Sequence, residues 1–257
     1  MNRRALVIGG SLGGLLAANL LRRAGWHAVV FERNEEDLTG RGVGLGTHPQ
    51  LITVLRRAAI AFDETMGITV PKVVCLDRAG NVILEQPSAR IMSAWSRLYR
   101  ALRAALPAQD YRLGKKLRRI EQDSGGVSAI FEDGTSERGD LLVGADGIRS
   151  TVREQFLPQA QPVYAGYVAW RAVLDEARVP RQAHREIFEL SHSACPKTSS
   201  CSAIRCRGTT ATRPPDAAVT TSSGIGPPTR LPWTTCAPMR RGSCTPAGLR
   251  RRSFAMR

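Results

Sequence analysis

Residues 5–32 read ALVIGGSLGGLLAANLLRRAGWHAVVFE, and this stretch decides the fold. Ala5-Leu6-Val7-Ile8 is a short apolar run ending in glycines, the pattern of a buried parallel strand. After the Gly9–Gly14 turn, Leu15 to Arg23 is rich in strong helix formers, carries Arg22 and Arg23 in its final turn and stops at Gly25. Ala28-Val29-Val30-Phe31 is a second buried strand, ending at Glu32. Strand, glycine turn, helix and strand within about 30 residues make a βαβ opening.

The chemistry of such a turn is phosphate binding. Small residues let the backbone approach a pyrophosphate, and the helix N-terminus offers free N–H groups and a positive dipole end. Glu32, 18 residues after Gly14, stands where a carboxylate accepts hydrogen bonds from ribose hydroxyls. In G-x-G-x-x-G terms the middle glycine is Ser11, small enough to fit but less permissive for the backbone. The plainer alternative is a structural glycine turn with no ligand.

Working outward, Gly40-Arg41-Gly42-Val43-Gly44-Leu45-Gly46 is a second glycine-rich loop, leading into a helix from about Pro49 to Ala59. Residues 72–76 and 82–85 alternate around Arg78-Ala79-Gly80-Asn81, which reads as a β-hairpin. Leu98, Leu102 and Leu106 recur at helical spacing from Trp95 to Leu106, with Pro107 beyond. Arg97, Arg100 and Arg103 make that helix's solvated face, unless one reaches a cofactor phosphate. Strands follow near 115–122, 127–132 and 135–138, with turns at Ser124-Gly125-Gly126 and Asp133-Gly134. Leu141-Leu142-Val143-Gly144 is another buried strand, and Ile148–Arg153 looks like a helix start. Asp146 sits at the carboxyl end of a sheet strand, where open α/β folds bind ligands; as a plain turn residue it would cap the next helix.

Apolar residues are 42% of 257, ordinary for a globular chain, so wholesale disorder is excluded. No apolar run approaches the roughly eighteen residues of a membrane span. The chain enters its first strand at once, without a signal-peptide pattern, so the expectation is a soluble, cytoplasmic protein with no membrane partner. The net charge of +15 is unevenly placed. Residues 191–257 hold 11 of the 37 Lys and Arg but one acid, Asp216, for +10; the first 190 residues carry +5. That tail also holds five of the six cysteines and eight of the 15 prolines.

In combination, the pieces VIGGSLGGLLAANLLRRAGW, VVFER, GRGVGLGTHPQL, DLLVGADGIRSTVR and YAGYVAWRAVL resemble the FAD-dependent aromatic hydroxylases, flavoprotein monooxygenases of the p-hydroxybenzoate hydroxylase type. The GGSLGGL turn and Tyr164-Ala165-Gly166-Tyr167…Trp170-Arg171 bring it nearest the 2,6-dihydroxypyridine hydroxylase-like branch. The match runs from about residue 3 to 190. It implies an α/β fold: a doubly wound, Rossmann-like FAD-binding domain over residues 1–160 with a β-hairpin inserted near 70–90, then a β-rich substrate domain that begins at 161–190 and is incomplete.

The resemblance also implies roles. Gly9, Ser11, Leu12 and Gly14 hold the FAD pyrophosphate and Glu32 the adenosine ribose; Arg33 and Arg41 lie beside the cofactor, Leu117 near the adenine, and Asp146 in an Asp-Gly motif tied to FAD and reduced nicotinamide. NADH or NADPH reduces the flavin, O2 forms a C4a-hydroperoxide, and a small aromatic or N-heteroaromatic ring attacks it. His48 is a weak candidate substrate-site base, with a loop or cap role the plainer reading. Tyr164, Tyr167 and Trp170 are placed to meet an aromatic substrate, though sheet packing is the favoured reading. The resemblance leaves room for a homodimer of a full-length form. It implies no specific nucleic-acid partner.

Two departures stand out. Many members carry a cofactor-contacting arginine where Trp95 stands, and no Gly-Asp segment of the family's third motif follows residue 190. Without that motif, uncoupled or absent turnover is expected; the alternatives are a catalytically silent nucleotide-binding remnant and, less favoured, a basic nucleic-acid-binding protein that acts through its tail. The tail has only five Leu, Ile or Val and no strand or helix period, so residues 191–257 read as disordered. No C-x2-C pair supports zinc or another metal, and a nucleic-acid arm has only Trp233 and Phe254 as aromatics. Cys-, Arg-, Pro- and Ser-rich text with almost no acids is what a GC-rich gene gives in a wrong frame. Back-translated and read one nucleotide earlier, Cys195–Gly208 allows LPEDEQLLGYPVPG, and Asp216–Pro227 allows RRRRHDFVWYRP. Both suit the family after its YAGY…WR strand, so a base missing between about codons 186 and 195 is expected.

Overall fold

The computed structural model describes residues 3–40, 44–62, 66–77, 81–164, 167–175, 178, 180–183, 191–194, 199–207 and 216–225. In chain order these form β1 (Arg4–Ile8), α1 (Leu12–Arg23), β2 (His27–Phe31), β3 (Gly44–Thr47), α2 (Pro49–Arg57), β4 (Gly67–Leu76), β5 (Val82–Ala94) and α3 (Trp95–Ala104). Then come β6 (Tyr111–Arg112), β7 (Leu117–Asp123), β8 (Gly126–Phe131), β9 (Ser136–Gly139), β10 (Leu141–Gly144), α4 (Thr151–Phe156), β11 (Tyr167–Asp175), β12 (Ser191–Ala194), β13 (Ser199–Arg207) and β14 (Asp216–Ile225).

The centre is a four-stranded parallel sheet in the order β10-β1-β2-β6. Its two central strands are apolar after their first residues, Arg4 and His27, because both faces are covered. Ala5, Val7, Ala28 and Val30 point to one face and meet Leu15 and Ala18 of α1 and Leu98, Tyr99 and Leu102 of α3. Leu6, Ile8, Val29 and Phe31 point to the other and pack on Ile120, Val127, Ala129 and Phe131 of the antiparallel sheet β7-β8-β9. The period of two along β1 and β2 thus divides one short run between two cores. Arg4 ties the layers: its guanidinium meets Glu137 of β9 at 2.6 Å, and Arg112 pairs with the same carboxylate.

The second sheet has seven strands, β11-β14-β13-β12-β4-β5-β3. The hairpin expected near 72–85 is its longest pair, extended to Gly67–Ala94. The second glycine-rich stretch is only partly a loop. Its end, Gly44–Thr47, is β3, paired with Ile91–Ala94 and pinned where Thr47 Oγ1 donates to the Ile91 carbonyl at 2.6 Å. Residues 41–43 lie outside the described residues. The helix expected from Ile148 starts later, at Thr151, because Gly147 turns with a positive φ and Ser150 caps: its hydroxyl accepts from the Arg153 amide at 2.9 Å.

Composition gave no strand signal beyond residue 190, yet β12 runs parallel to β4, and β13 and β14 form an antiparallel ladder with β11 up to Ile225. Backbone N–H and C=O groups pair whatever the side chains are, so a Ser-, Thr- and Ala-rich segment can join a sheet that already offers an edge. Residues 226–257 lie outside the described residues.

Candidate functional site

The carboxyl ends of β1, β2 and β10 open on a cavity of about 450 Å³. Gly9, Gly10 and Ser11, the first half of the glycine turn, line it. Gly9 has φ +107°, and its amide donates to the Phe31 carbonyl at 2.8 Å. A side chain on Gly9 would run into the Ala145 carbonyl, and one on Gly14 would overlap the Gly9 carbonyl oxygen. The two glycines therefore let β10, the turn and α1 touch. Gly13, by contrast, has open space around it. Ser11 is the N-cap residue of α1 with its hydroxyl making no cap bond, and no acid lies in the first turn. The first helical bond runs from the Leu15 amide to the Ser11 carbonyl at 3.0 Å, so the amides before it lack helical acceptors. An anion suits that end.

Glu32 is 5% exposed, and both its carboxylate oxygens accept hydrogen bonds. Its Oε2 accepts from the Gly10 amide at 2.7 Å, and its Oε1 accepts from the backbone and side-chain nitrogens of Asn34. It thus braces the turn as well as facing the cavity. Asp146 lines the opposite wall, where its carboxylate accepts from Ser150 Oγ at 2.6 Å and the Val152 amide at 3.2 Å. Both readings of Asp146 are therefore visible in one residue: it faces the cavity and it caps the turn into α4. Arg33, Lys115, Lys116 and Arg149 add four cations to the lining. Lys115 is steadied by Asp133 at 2.6 Å and Thr135 at 2.9 Å; the Lys115 ammonium, then the Thr135 hydroxyl and amide, hold the Asp133 carboxyl down to about 2. Leu117, Leu38 and Trp95 supply apolar wall, with Trp95 stacked on Tyr99 at 5.0 Å between ring centres.

A family model described as an FAD binding domain matches residues 3–208. The chain belongs to this FAD-binding family. Among its relatives, 2,6-dihydroxypyridine 3-monooxygenase of Paenarthrobacter nicotinovorans is 34% identical over 183 residues, 68% of this chain and 44% of that protein. The FAD-dependent monooxygenase thnD of Trichoderma harzianum is 33% identical over 205 residues, 74% of this chain and 49% of that protein. The solved structure of 2,6-dihydroxypyridine-3-hydroxylase from Arthrobacter nicotinovorans superposes with a TM-score of 0.80 at 27% identity, over 88% of this chain and 57% of that one. The chain spans about half the length of the curated relatives it matches.

As an FAD-binding chain, it carries residues that fit the group: an uncapped helix N-terminus beside three close-packed glycines, a buried carboxylate at the end of β2, and cations on the rim. Of the residues singled out from sequence, Gly9, Ser11, Glu32, Arg33, Leu117 and Asp146 line the cavity. Gly14 does not line it but packs on the Gly9 carbonyl, and Leu12 opens α1 with its side chain against the core. Arg41 lies outside the described residues. His48 does not line the cavity; it is the exposed N-cap residue of α2, with Nδ1 3.0 Å from Gln50 Oε1. Tyr167 begins β11, opposite Ile225. Arg97, Arg100 and Arg103 do not line the cavity either; the Arg103 guanidinium sits 4.4 Å from the Tyr111 ring centre instead.

Gly10, Tyr111, Lys115, Lys116 and Arg149 were not singled out from sequence. Gly10 had a signal, as part of the glycine run, and the structure gives its reason: a side chain there would strike the Tyr111 hydroxyl and the Glu32 stem. Tyr111 had none, because its two-residue strand is too short to show a period. Among the described residues no group of three His, Cys, Asp or Glu is placed to hold a metal, and no helix is long and apolar enough to cross a membrane.

Proposed function

We propose that this chain is the FAD-binding portion of a flavin hydroxylase that acts on a small aromatic or N-heteroaromatic ring, with NADH or NADPH and O2 as co-substrates. The observation that carries the reading is the cavity at the ends of β1, β2 and β10, lined by Glu32 and Asp146, in a chain that over 183 residues is 34% identical to a dihydroxypyridine monooxygenase. Redox and oxygen chemistry belong to FAD when it is bound. The protein's part is positioning. The α1 N-terminus and the rim cations receive the pyrophosphate, Glu32 accepts from the ribose hydroxyls, and Leu117 gives the adenine an apolar wall. Asp146 stands on the β10 side.

The test is to add FAD to the purified chain, follow flavin absorbance, then supply NADH or NADPH with a hydroxypyridine in air. Flavin binding with no product, or with nicotinamide oxidation uncoupled from product, is expected, because the chain carries no Gly-Asp motif after residue 190. Product in step with nicotinamide oxidation would overturn that expectation; no flavin binding under any condition would overturn the cofactor reading for this chain. We also propose that residues from about 190 onward are read in a displaced frame, which would explain why the acids and aromatics the family carries there are replaced by Arg, Cys, Pro and Ser.

A further inference from the structure

Behind the turn, a chain of hydroxyls runs from the Gly10 carbonyl to Asp37. Tyr111 Oη donates to the Gly10 carbonyl at 3.0 Å and lies 3.0 Å from Tyr99 Oη. Tyr99 Oη in turn lies 3.1 Å from Asp37 Oδ2 and accepts from the Leu38 amide at 3.4 Å. Both rings are buried and clamped, Tyr99 by Trp95 stacked on it and Tyr111 by the Arg103 guanidinium over its face. Burial pushes both phenols up from their ordinary acidity range, so each keeps its proton.

Three oxygen–oxygen contacts therefore run through two hydroxyls that hold one proton each. They cannot all be filled. When Tyr99 gives its proton to Asp37, its oxygen competes with the Gly10 carbonyl for the proton of Tyr111. When Tyr99 gives its proton to Tyr111, Asp37 goes without and Tyr111 is committed to Gly10. This matters at the cavity because the Gly10 C=O and the Ser11 N–H belong to one planar trans peptide and point opposite ways. Whatever holds the carbonyl aims the Ser11 amide, and Ser11 lines the cavity at the mouth of α1.

We propose that Tyr111 is a positioning residue for the cofactor's pyrophosphate, and that the exposed Asp37 carboxylate weakens it by drawing protons along the chain through Tyr99. This rests on the cavity being the FAD site. Tyr111→Phe should weaken FAD binding about tenfold, the worth of one buried hydrogen bond. Asp37→Asn, whose amide can donate to Tyr99 while its remaining oxygen still accepts from the Thr39 amide, should commit the chain toward Gly10 and tighten binding severalfold. In the Tyr111→Phe background the same Asp37→Asn change should do nothing. Removal of a negative charge near the phosphates would tighten binding in either background, and that result would overturn the relay. The measurement is a flavin fluorescence titration of the four chains, with melting temperatures to confirm that all fold.

A second readout needs no cofactor. In nitrogen–proton spectra of the apoprotein, the Ser11 amide resonance should move in opposite directions in Tyr111→Phe and Asp37→Asn. A resonance unmoved by Tyr111→Phe would overturn the proposal. If the unmodified chain takes up no FAD, the cofactor reading fails while the spectra still decide the relay.

Discussion

Strands β1 and β2 bury almost every side chain, on two faces at once, against helices on one side and a β-meander on the other. Strands β13 and β14, SSCSAIRCR and DAAVTTSSGI, offer only Ile204, Val219 and Ile225 as large aliphatic groups, and they hold to their neighbours by backbone ladders. In the first region a one-residue slip would turn both apolar sets onto the wrong partners, so side chains fix the register. In the second a slip costs little, because both faces read alike. A shared fold can therefore rest on two kinds of instruction, and the proposed frame displacement is a statement about which kind is missing after residue 190.

The largest effect should come from restoring that instruction. An independent DNA read across codons 180–260 is expected to show a missing base between about codons 186 and 195. A chain expressed with that base replaced should go from no coupled turnover to measurable hydroxylation in the nicotinamide oxidation assay. An intact read, in a gene whose relatives carry the same tail, would return β12–β14 to the status of genuine sequence and end the displaced-frame reading.

The next test separates the regions by substitution. Gly14→Ala places a side-chain carbon on the Gly9 carbonyl oxygen, which must move. Overpacking of this kind costs about 1–3 kcal/mol, and here the displaced atoms belong to the turn proposed to hold the cofactor. Flavin titration should show FAD affinity falling by one to two orders of magnitude, with a lowered melting temperature. Thr221→Ala in β14 should leave FAD affinity unchanged. Equal losses from the two changes would mean that the cavity is not where the cofactor sits.

Glu32→Gln should act more narrowly. The substitution keeps an acceptor for the Gly10 amide but removes the charge that strengthens it and places a donor near Asn34. A hydrogen bond to a charged group is worth about 1.5–3 kcal/mol, part of which the neutral acceptor retains, so FAD affinity should fall about tenfold. The outcome that would refute the role is an unchanged affinity with a lower melting temperature, which would make Glu32 a brace for the turn alone.

How much was legible in the sequence follows the same division. β1, α1 and β2 were readable because burial on both faces writes continuous apolar runs, and a close-packed turn demands glycine. Glu32 was readable from its place at the end of β2. Tyr111, Lys115 and Lys116 were not: the two lysines line the cavity, and Tyr111 reaches the Gly10 carbonyl behind it, because β6 adds to the far side of β2 and the chain then runs on into β7, a pairing of two residues that leaves no periodic trace. Trp95 was legible only as a departure from the family, and its stacking on Tyr99 gives that departure a structural use. The strands beyond residue 190 were illegible because their pairing is carried by the backbone, which every sequence possesses.

The smallest effect sharpens the first half of the comparison, where layers are tied by side chains. Burial raises the Glu137 carboxyl, but the guanidinium groups of Arg4 and Arg112 outweigh it and hold the group below its ordinary value. A folded pKa lowered from about 4.3 means that the pairing stabilises above that pH and is lost as pH falls through the lower folded value. Glu137→Gln should therefore lower the melting temperature at pH 7 by a few degrees, in line with about 1 kcal/mol for a partly exposed ion pair. The difference between the two chains should shrink below about pH 4, since the native carboxylate becomes as neutral as the amide. A gap that persists into stronger acid would mean that Glu137 joins β9 to β1 and β6 by packing rather than by charge.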